Sequence, residues 1–353
     1  VFGSREPAHK LIQPLESSAG VEAIELARLC SLVLDPWQQD FLTAAMGRDA
    51  AGRWVADEAA LVVPRQNGRS EVLLARLLWG LLLGGERTGL FTAHEHKTAT
   101  ESFLRLKSLV EHPDFVAKYG EVTRLQSSYG REQIEFSNGA RALFIARSRK
   151  SGRGFSPDFI VLDEAFELSD LSMAALKPSL AARRSPQLWF SSSAPHETSS
   201  VLRRICLKGR AGEQDRLVFF EWCASDVVAS DAVEGWLASN PAVGYRIRLD
   251  TIASELTSGA MDEESFRRER LGVWNEEVFT SVFDRAQWER LYRPDARTSG
   301  VAAIAVDVNP DRSRACIAAA VKLALPCWSK YSGRTGVWIG WWRRCLPWFG
   351  LTV

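Results

Sequence analysis

Two acids at the end of an apolar run, Asp163 and Glu164 in "FIVLDEA" (159–165), and one polar loop, "VVPRQNGRS" (62–70), hold the residues of this chain best suited to phosphate chemistry. A phosphate is held by backbone N–H groups aimed at one point, a helix N-terminus and a cation. In the loop, Gly68 permits a tight turn, Arg65 and Arg69 supply positive charge, and Gln66 and Asn67 lie between them. Ser70, at the start of the following helix, has a hydroxyl that can ligate Mg²⁺. Hydrolysis of a Mg²⁺–nucleotide requires a buried parallel strand that delivers carboxylates to its C-terminal edge. Asp163 would serve the metal there, and Glu164 would orient or deprotonate the attacking water. The loop departs from G-x-x-x-x-G-K-[ST] at two letters: Val63 stands for the first glycine and Arg69 for the lysine. Arginine keeps the charge but has a larger, planar head, so the exchange is not equivalent. Taken singly, the loop also reads as a polar strand-to-helix turn, and the acids as an ordinary strand end with a capping carboxylate.

Three further features lie nearby in the chain. "SSSAP" (191–195) follows another apolar run. Hydroxyls such as those of Ser192 and Ser193 can sense a terminal phosphate, or simply line a serine-rich loop. In "DPWQ" (35–38), the Gln38 amide offers one donor and one acceptor to an adenine edge. The same four residues also make a helix-capping turn, with Asp35 as N-cap and Pro36 at the first helical position. "ARSRKSGRGFS" (146–156) carries Arg147, Arg149, Lys150 and Arg153. These suit a cation supplied across a subunit interface, a DNA-backbone contact or a solvated basic loop.

The elements that position these groups alternate in βαβ fashion. Strands are expected at 58–63, 88–93, 157–165, 186–195 and 216–222, and helices at 20–30, 34–46, 70–83, near 98–110 and near 169–182. "QIEFSNGARALFIA" (133–146) reads as a hairpin closed by a type I′ turn at Asn138-Gly139. Helices at 231–241 and 261–274 follow, then a hairpin beginning in "AIAVDV" and returning around Ile317. The fold class is α/β: a P-loop (RecA/ASCE-like), mostly parallel sheet covered by helices on both faces. The family resemblance given below implies that a small linker subdomain and the start of an RNase H-like domain follow it. The expected divisions are an N-terminal arm and helix (1–30), an ATPase domain (31–210), a linker subdomain (211–296) and a final region (297–353). Residues 1–20, polar and carrying two prolines, are expected to form a loose arm.

Bulk composition narrows the field. The chain has 353 residues, 46% hydrophobic and 25% charged, with net charge +1. That is ordinary for a globular protein, and any nucleic-acid surface would be a local patch. Six cysteines and five histidines are scattered, with no C-x-x-C, which argues against a zinc site or disulfide framework. No stretch has the layout of a signal peptide or the length of a membrane span, so a cytoplasmic location is the expectation.

In this order, "DPWQQDFL", "VVPRQNGRS", "LFTAHEHKTA", "SGRGFSPDFIVLDEAFEL" and "SSSAP" resemble the ATPase motifs of the large terminase subunit of tailed bacteriophages, the motor that packages double-stranded DNA. The resemblance covers about 30–322. In that family, phosphate loops with an early arginine and no first glycine are characteristic, though the lysine replaced here by Arg69 is normally present. The resemblance implies ATP and Mg²⁺ as cofactors. It places adenine on Gln38, phosphates on Arg65, Gly68, Arg69 and Ser70, Mg²⁺ on Asp163, and the catalytic carboxylate on Glu164. Ser192 and Ser193 would couple hydrolysis to movement, and Arg153 falls where the family places its arginine finger. Double-stranded DNA, a portal protein, a small terminase subunit and a homo-oligomeric ring are the implied partners, in the cytoplasm of a bacterial host.

The family's second activity is an RNase H-like nuclease built on clustered carboxylates around two metal ions. "AIAVDVNPDRS" resembles its first strand, with Asp307 as first ligand and Asp311 as a lesser candidate. No Asp or Glu follows Asp311, and residues 323–353 hold five of the thirteen tryptophans. The tail is expected to be an out-of-frame or aberrant end, from a truncated or prophage-derived copy, that does not complete the domain. An aromatic membrane-interface or partner-binding tail is the other reading. Two alternatives stand beside the motor: a helicase-like DNA-dependent ATPase, and a non-enzymatic prophage product. The expected outcome for the nuclease is its absence: purified protein leaves plasmid DNA uncut with Mn²⁺, and cleavage abolished by Asp307→Ala would show otherwise.

Overall fold

The structure, a computed structural model, describes residues 1–128, 132–147, 156–212, 215–259 and 261–274, and the backbone of three strands at 303–308, 315–322 and 337–342. In chain order it begins with β1 (His9–Leu11), β2 (Ser17–Ser18), α1 (Gly20–Leu29), α2 (Pro36–Ala45) and β3 (Gly47–Arg48). Next come β4 (Glu58–Val62), α3 (Arg69–Leu82), β5 (Thr88–Ala93), α4 (His96–Val110) and α5 (Pro113–Tyr119). β6 (Arg124–Gln126), β7 (Glu132–Glu135), β8 (Arg141–Ala146), β9 (Phe159–Leu162) and α6 (Asp170–Leu176) follow. The first unit closes with β10 (Gln187–Ser192), α7 (Ser200–Ala211), β11 (Leu217–Glu221), α8 (Val233–Ser239), α9 (Leu249–Thr257) and α10 (Glu263–Leu271).

Nine strands form one sheet in the order β1-β11-β4-β10-β9-β5-β8-β7-β6. The six from β11 to β8 run parallel, while β1 at one edge and β7 and β6 at the other are antiparallel. The parallel strands read as continuous apolar runs because both faces are covered. Ala59, Leu61, Val161 and Trp189 enter one core with α1 to α4. Their neighbours Ala60, Val62, Ile160 and Phe190 enter a second core with α6 and α7. A third, smaller core, including Trp236, Ile252 and Phe266, unites α8, α9 and α10.

Chain contacts divide the protein into Val1–Val278 and Phe279–Val353. β11, expected within a linker beginning at 211, is a strand of the main sheet, paired to β4 along its length. Within the second unit, β12 (Ala303–Val308) and β13 (Ala315–Lys322) form the expected hairpin. β14 (Val337–Trp342), inside the tryptophan-rich stretch, pairs antiparallel with β13. Its Val, Ile and Trp residues are good strand formers.

Two local expectations are corrected. Residues 1–20 are tied down rather than loose: β1 adds to the sheet edge, β2 pairs with β3, and Gly3 N donates to Val243 O at 3.0 Å. The hairpin turn is wider than type I′. The β7–β8 register ends at Glu135 opposite Arg141, and of the Asn138-Gly139 pair only Gly139 has positive φ (78°). Tertiary bonds decide this, because Asn138 Nδ2 donates to Leu81 O (2.7 Å) and Arg87 Nη1 donates to Asn138 O (2.7 Å). Among the described residues, no helix is long and apolar enough to cross a membrane.

α3 is buried almost all round, and its Arg76 has no exposed surface. The guanidinium lies 4.1 Å from the Phe159 ring centroid, makes a two-point bond to Glu86 (2.7 Å each) and donates from Nε to Gln187 (3.2 Å). Removing one partner of such a pair strands the other in the core. Arg76→Ala is expected to lower stability by about 3–5 kcal/mol in denaturant unfolding, and a loss below about 1 kcal/mol would show that water replaces the bonds.

Candidate functional site

The loop between β4 and α3 turns on two residues at positive φ, Gln66 (68°) and Gly68 (91°). Gly68 is required there twice over. Its backbone lies in the left-handed region, and an added Cβ would sit 2.7 Å from Arg246 Nη2 and 3.0 Å from Gln38 Nε2. α3 then starts at Arg69 with no side-chain cap, which leaves its first N–H groups open to water or an anion. The back of the loop is fastened to distant segments. Buried Asn67 donates from Nδ2 to Pro64 O and to Asn240 Oδ1 (both 3.1 Å) and accepts from Ala242 N (3.0 Å). Arg246 Nη2 donates to Asn67 O (2.7 Å), and Arg270 Nη1 donates to Arg65 O (3.2 Å).

Arg69 does not project outward as a free cation. Its Nη1 donates to Val63 O within the same loop at 2.7 Å. Desolvation holds its guanidinium below the ordinary arginine range. Asp163 opposes that shift, and Arg65 adds to it. The other loop cation, Arg65, is exposed, with its Nε 3.9 Å from Glu269 Oε2.

Asp163 and Glu164 follow β9 directly, as the sequence predicts. Asp163 is buried; its Oδ1 accepts from Ser191 Oγ and from Glu164 N (both 3.0 Å), and its Oδ2 accepts from Ser70 Oγ (3.5 Å). Ser70 and Asp163 thus place a hydroxyl and a carboxylate side by side, the hard oxygen donors that would hold a Mg²⁺. Glu164 is a non-glycine residue in the left-handed region (φ 53°, ψ 49°), a conformation that costs about 1–3 kcal/mol unless its surroundings hold it. Its carboxylate accepts from His94 N (3.2 Å) and Thr98 Oγ1 (3.1 Å), and it lines a cleft of about 470 Å³ with Arg65, Lys97 and Phe166.

β10 lies between β4 and β9, so the serines at its C-terminal end fall between the loop and the acids. Ser192 O accepts from Val63 N (3.0 Å), and Ser192 Oγ accepts from Phe166 N (3.0 Å). Ser193 Oγ is buried and finds no partner among the described residues.

The structure redirects two sequence-predicted residues. Gln38 is fully buried and its amide is committed: Oε1 accepts from Asp35 N (2.6 Å) and Nε2 donates to Gly68 O (2.7 Å). It does not present an amide to an adenine edge. D-x-x-Q is the spacing of a capping box, and that signal was the informative one. Arg147 is not a cation held out to a neighbour. It donates to Asp163 O, Glu164 O and Thr92 O of its own chain. Arg153 lies outside the described residues. The backbone of Asp307 sits on β12 opposite Cys316. The fasteners Asn240, Arg246 and Arg270 gave no sequence signal, since nothing in local spacing links them to a loop some 170–200 residues earlier.

His9, Glu221 and Cys223 form the one described group with metal-ligand spacing. Both Glu221 oxygens already accept from Arg210 (2.7 and 2.8 Å), and Oε1 also accepts from Trp274 (2.9 Å), so this is a buried ion pair.

The fold is similar to that of the HK97 bacteriophage large terminase, at a TM-score of 0.68 and 19% identity over 91% of this chain and 67% of that one. The ATPase domain of the Thermus phage P74-26 large terminase matches more loosely, at 0.46 and 17% over 75% of this chain and 100% of that one. The large terminase of the thermophilic bacteriophage D6E in complex with ADP matches at 0.43 and 13% over 92% and 68%. No family model matches the chain, and no curated protein matches it significantly in sequence. The HK97 likeness shows the α/β, P-loop-like fold.

Asn67→Ala would leave Asn240 Oδ1, Ala242 N and Pro64 O without their buried partner. The expected loss is about 1–3 kcal/mol of unfolding free energy, read from the denaturant midpoint at constant m-value. An unchanged midpoint would show that the loop does not depend on this fastening.

Proposed function

We propose that this chain is a DNA-packaging ATPase of the large-terminase type, which binds ATP with Mg²⁺ at the loop-and-acid edge of the sheet and couples hydrolysis to translocation of double-stranded DNA. The observation that carries this is the line from Ser70 through Asp163 to Ser191, which joins the phosphate loop, the acid pair and the serine motif. Gln66, Asn67 and Gly68 shape the loop, its N–H groups and the start of α3 receive the phosphates, and Arg65 and Arg69 add charge. Ser70 and Asp163 would hold Mg²⁺, which supplies charge neutralisation on the phosphate oxygens. Glu164 orients the attacking water, and Ser192 and Ser193 register the terminal phosphate. In this reading Arg153 serves a neighbouring subunit of a homo-oligomeric ring, which works with a portal protein and a small terminase subunit in the bacterial cytoplasm. Gln38 braces the loop from behind, leaving adenine to other groups.

A second reading, a nucleotide-binding chain without turnover, is favoured by one observation: Arg69 is engaged with Val63 O. ATP turnover with and without DNA separates the two. The expected result is measurable hydrolysis that Glu164→Gln lowers by about 10²–10⁴-fold with nucleotide affinity retained, and that Arg69→Lys preserves or raises. A flat baseline that neither substitution changes would end the motor reading for this protein.

A further inference from the structure

We propose that Arg147 is a positioning residue for Glu164: its guanidinium fixes the left-handed turn from which the Glu164 carboxylate reaches the cleft. The inference rests on the reading of Glu164 as the group that orients the attacking water.

Arg147 is the first residue after β8, and its backbone N donates to Ala93 O at 2.8 Å, extending the β5–β8 ladder by one step. Its side chain spans β5 to the end of β9. Nη1 donates to Asp163 O (2.5 Å), Thr92 O (3.0 Å) and Thr92 Oγ1 (3.3 Å), and Nη2 donates to Glu164 O (2.7 Å). The carbonyls of two consecutive residues therefore converge on one planar fork. They do so while Glu164 holds φ 53° and ψ 49°, a conformation that L residues rarely adopt. An arginine can bridge two such acceptors in a fixed plane, and a lysine cannot.

The arrangement is not one that stability alone favours. The Arg147 Nε is buried with no partner among the described residues, and the side chain's hydrogen bonds described here go to carbonyls and one hydroxyl, none to a carboxylate. A charge inserted there in this way carries a desolvation cost. What it secures is the main chain of the acid pair, while His94 N and Thr98 Oγ1 secure the Glu164 carboxylate. With the backbone released, Glu164 would relax toward ordinary φ values and carry its carboxylate out of the cleft. Misplacement of a reacting group by about 1 Å costs on the order of 10²-fold in rate.

The test is steady-state ATP turnover and fluorescent-ADP affinity for wild type, Arg147→Lys, Glu164→Gln and the double variant, with thermal unfolding to establish that each is folded. Arg147→Lys is expected to lower kcat by about 10–100-fold with KM and ADP affinity within about twofold. In the Glu164→Gln background it should have no further effect, because both changes act on one carboxylate. If Arg147→Lys does not fold, Thr92→Val, which removes one acceptor isosterically, should lower kcat about 2–5-fold in the same manner. An active wild type with unchanged kcat in the folded variant, or a double variant whose losses multiply, overturns the role of Arg147 alone. A wild type without turnover overturns the ATPase reading and this inference with it.

Discussion

The candidate site depends on one buried carboxylate. Asp163 is where three strand ends meet: it accepts from Ser70 after β4, from Ser191 on β10 and from the backbone of Glu164 after β9. This is possible because β10 is inserted between β4 and β9, which makes the serine motif the physical spacer between loop and acids. Were the loop strand and the acid strand adjacent, the serines would lie elsewhere. Sheet order, rather than any single motif, gives the site its dimensions.

Around that centre the protein holds its strained segments from behind. The loop between β4 and α3 has two residues at positive φ, and its polar groups are bonded to Asn240, Ala242, Arg246 and Arg270. The acid pair has one residue at positive φ, and its carbonyls face Arg147. In both cases backbone carbonyls are tied to a guanidinium of the same chain.

The parts legible in the sequence were those encoded locally. Apolar runs gave the buried strands, Asp35-Pro36 gave the start of α2, and the acids appeared where "FIVLDEA" put them. The long-range parts were not legible. Gln38 carried two meanings, and its bond from Asp35 N selected the capping one. Arg147 looked like one cation among four in a basic run, because its carbonyl partners lie 16 and 17 positions later and on β5. The Asn138-Gly139 turn is wider than its two-residue signal, and its Asn138 side chain is bonded to Leu81 O, far away in the sequence. Local propensity sets the elements, and tertiary hydrogen bonds reassign individual polar residues.

The sheet closes itself in a way that bears on assembly. Its parallel strands are flanked by β1 on one side and β7 and β6 on the other, and both outermost strands are only three residues long. Such short, antiparallel borders offer little backbone for another chain to extend. Copies of this protein that meet would therefore do so through side chains and loops rather than a shared sheet. Contacts of that kind can slide and re-form without breaking a ladder of main-chain hydrogen bonds.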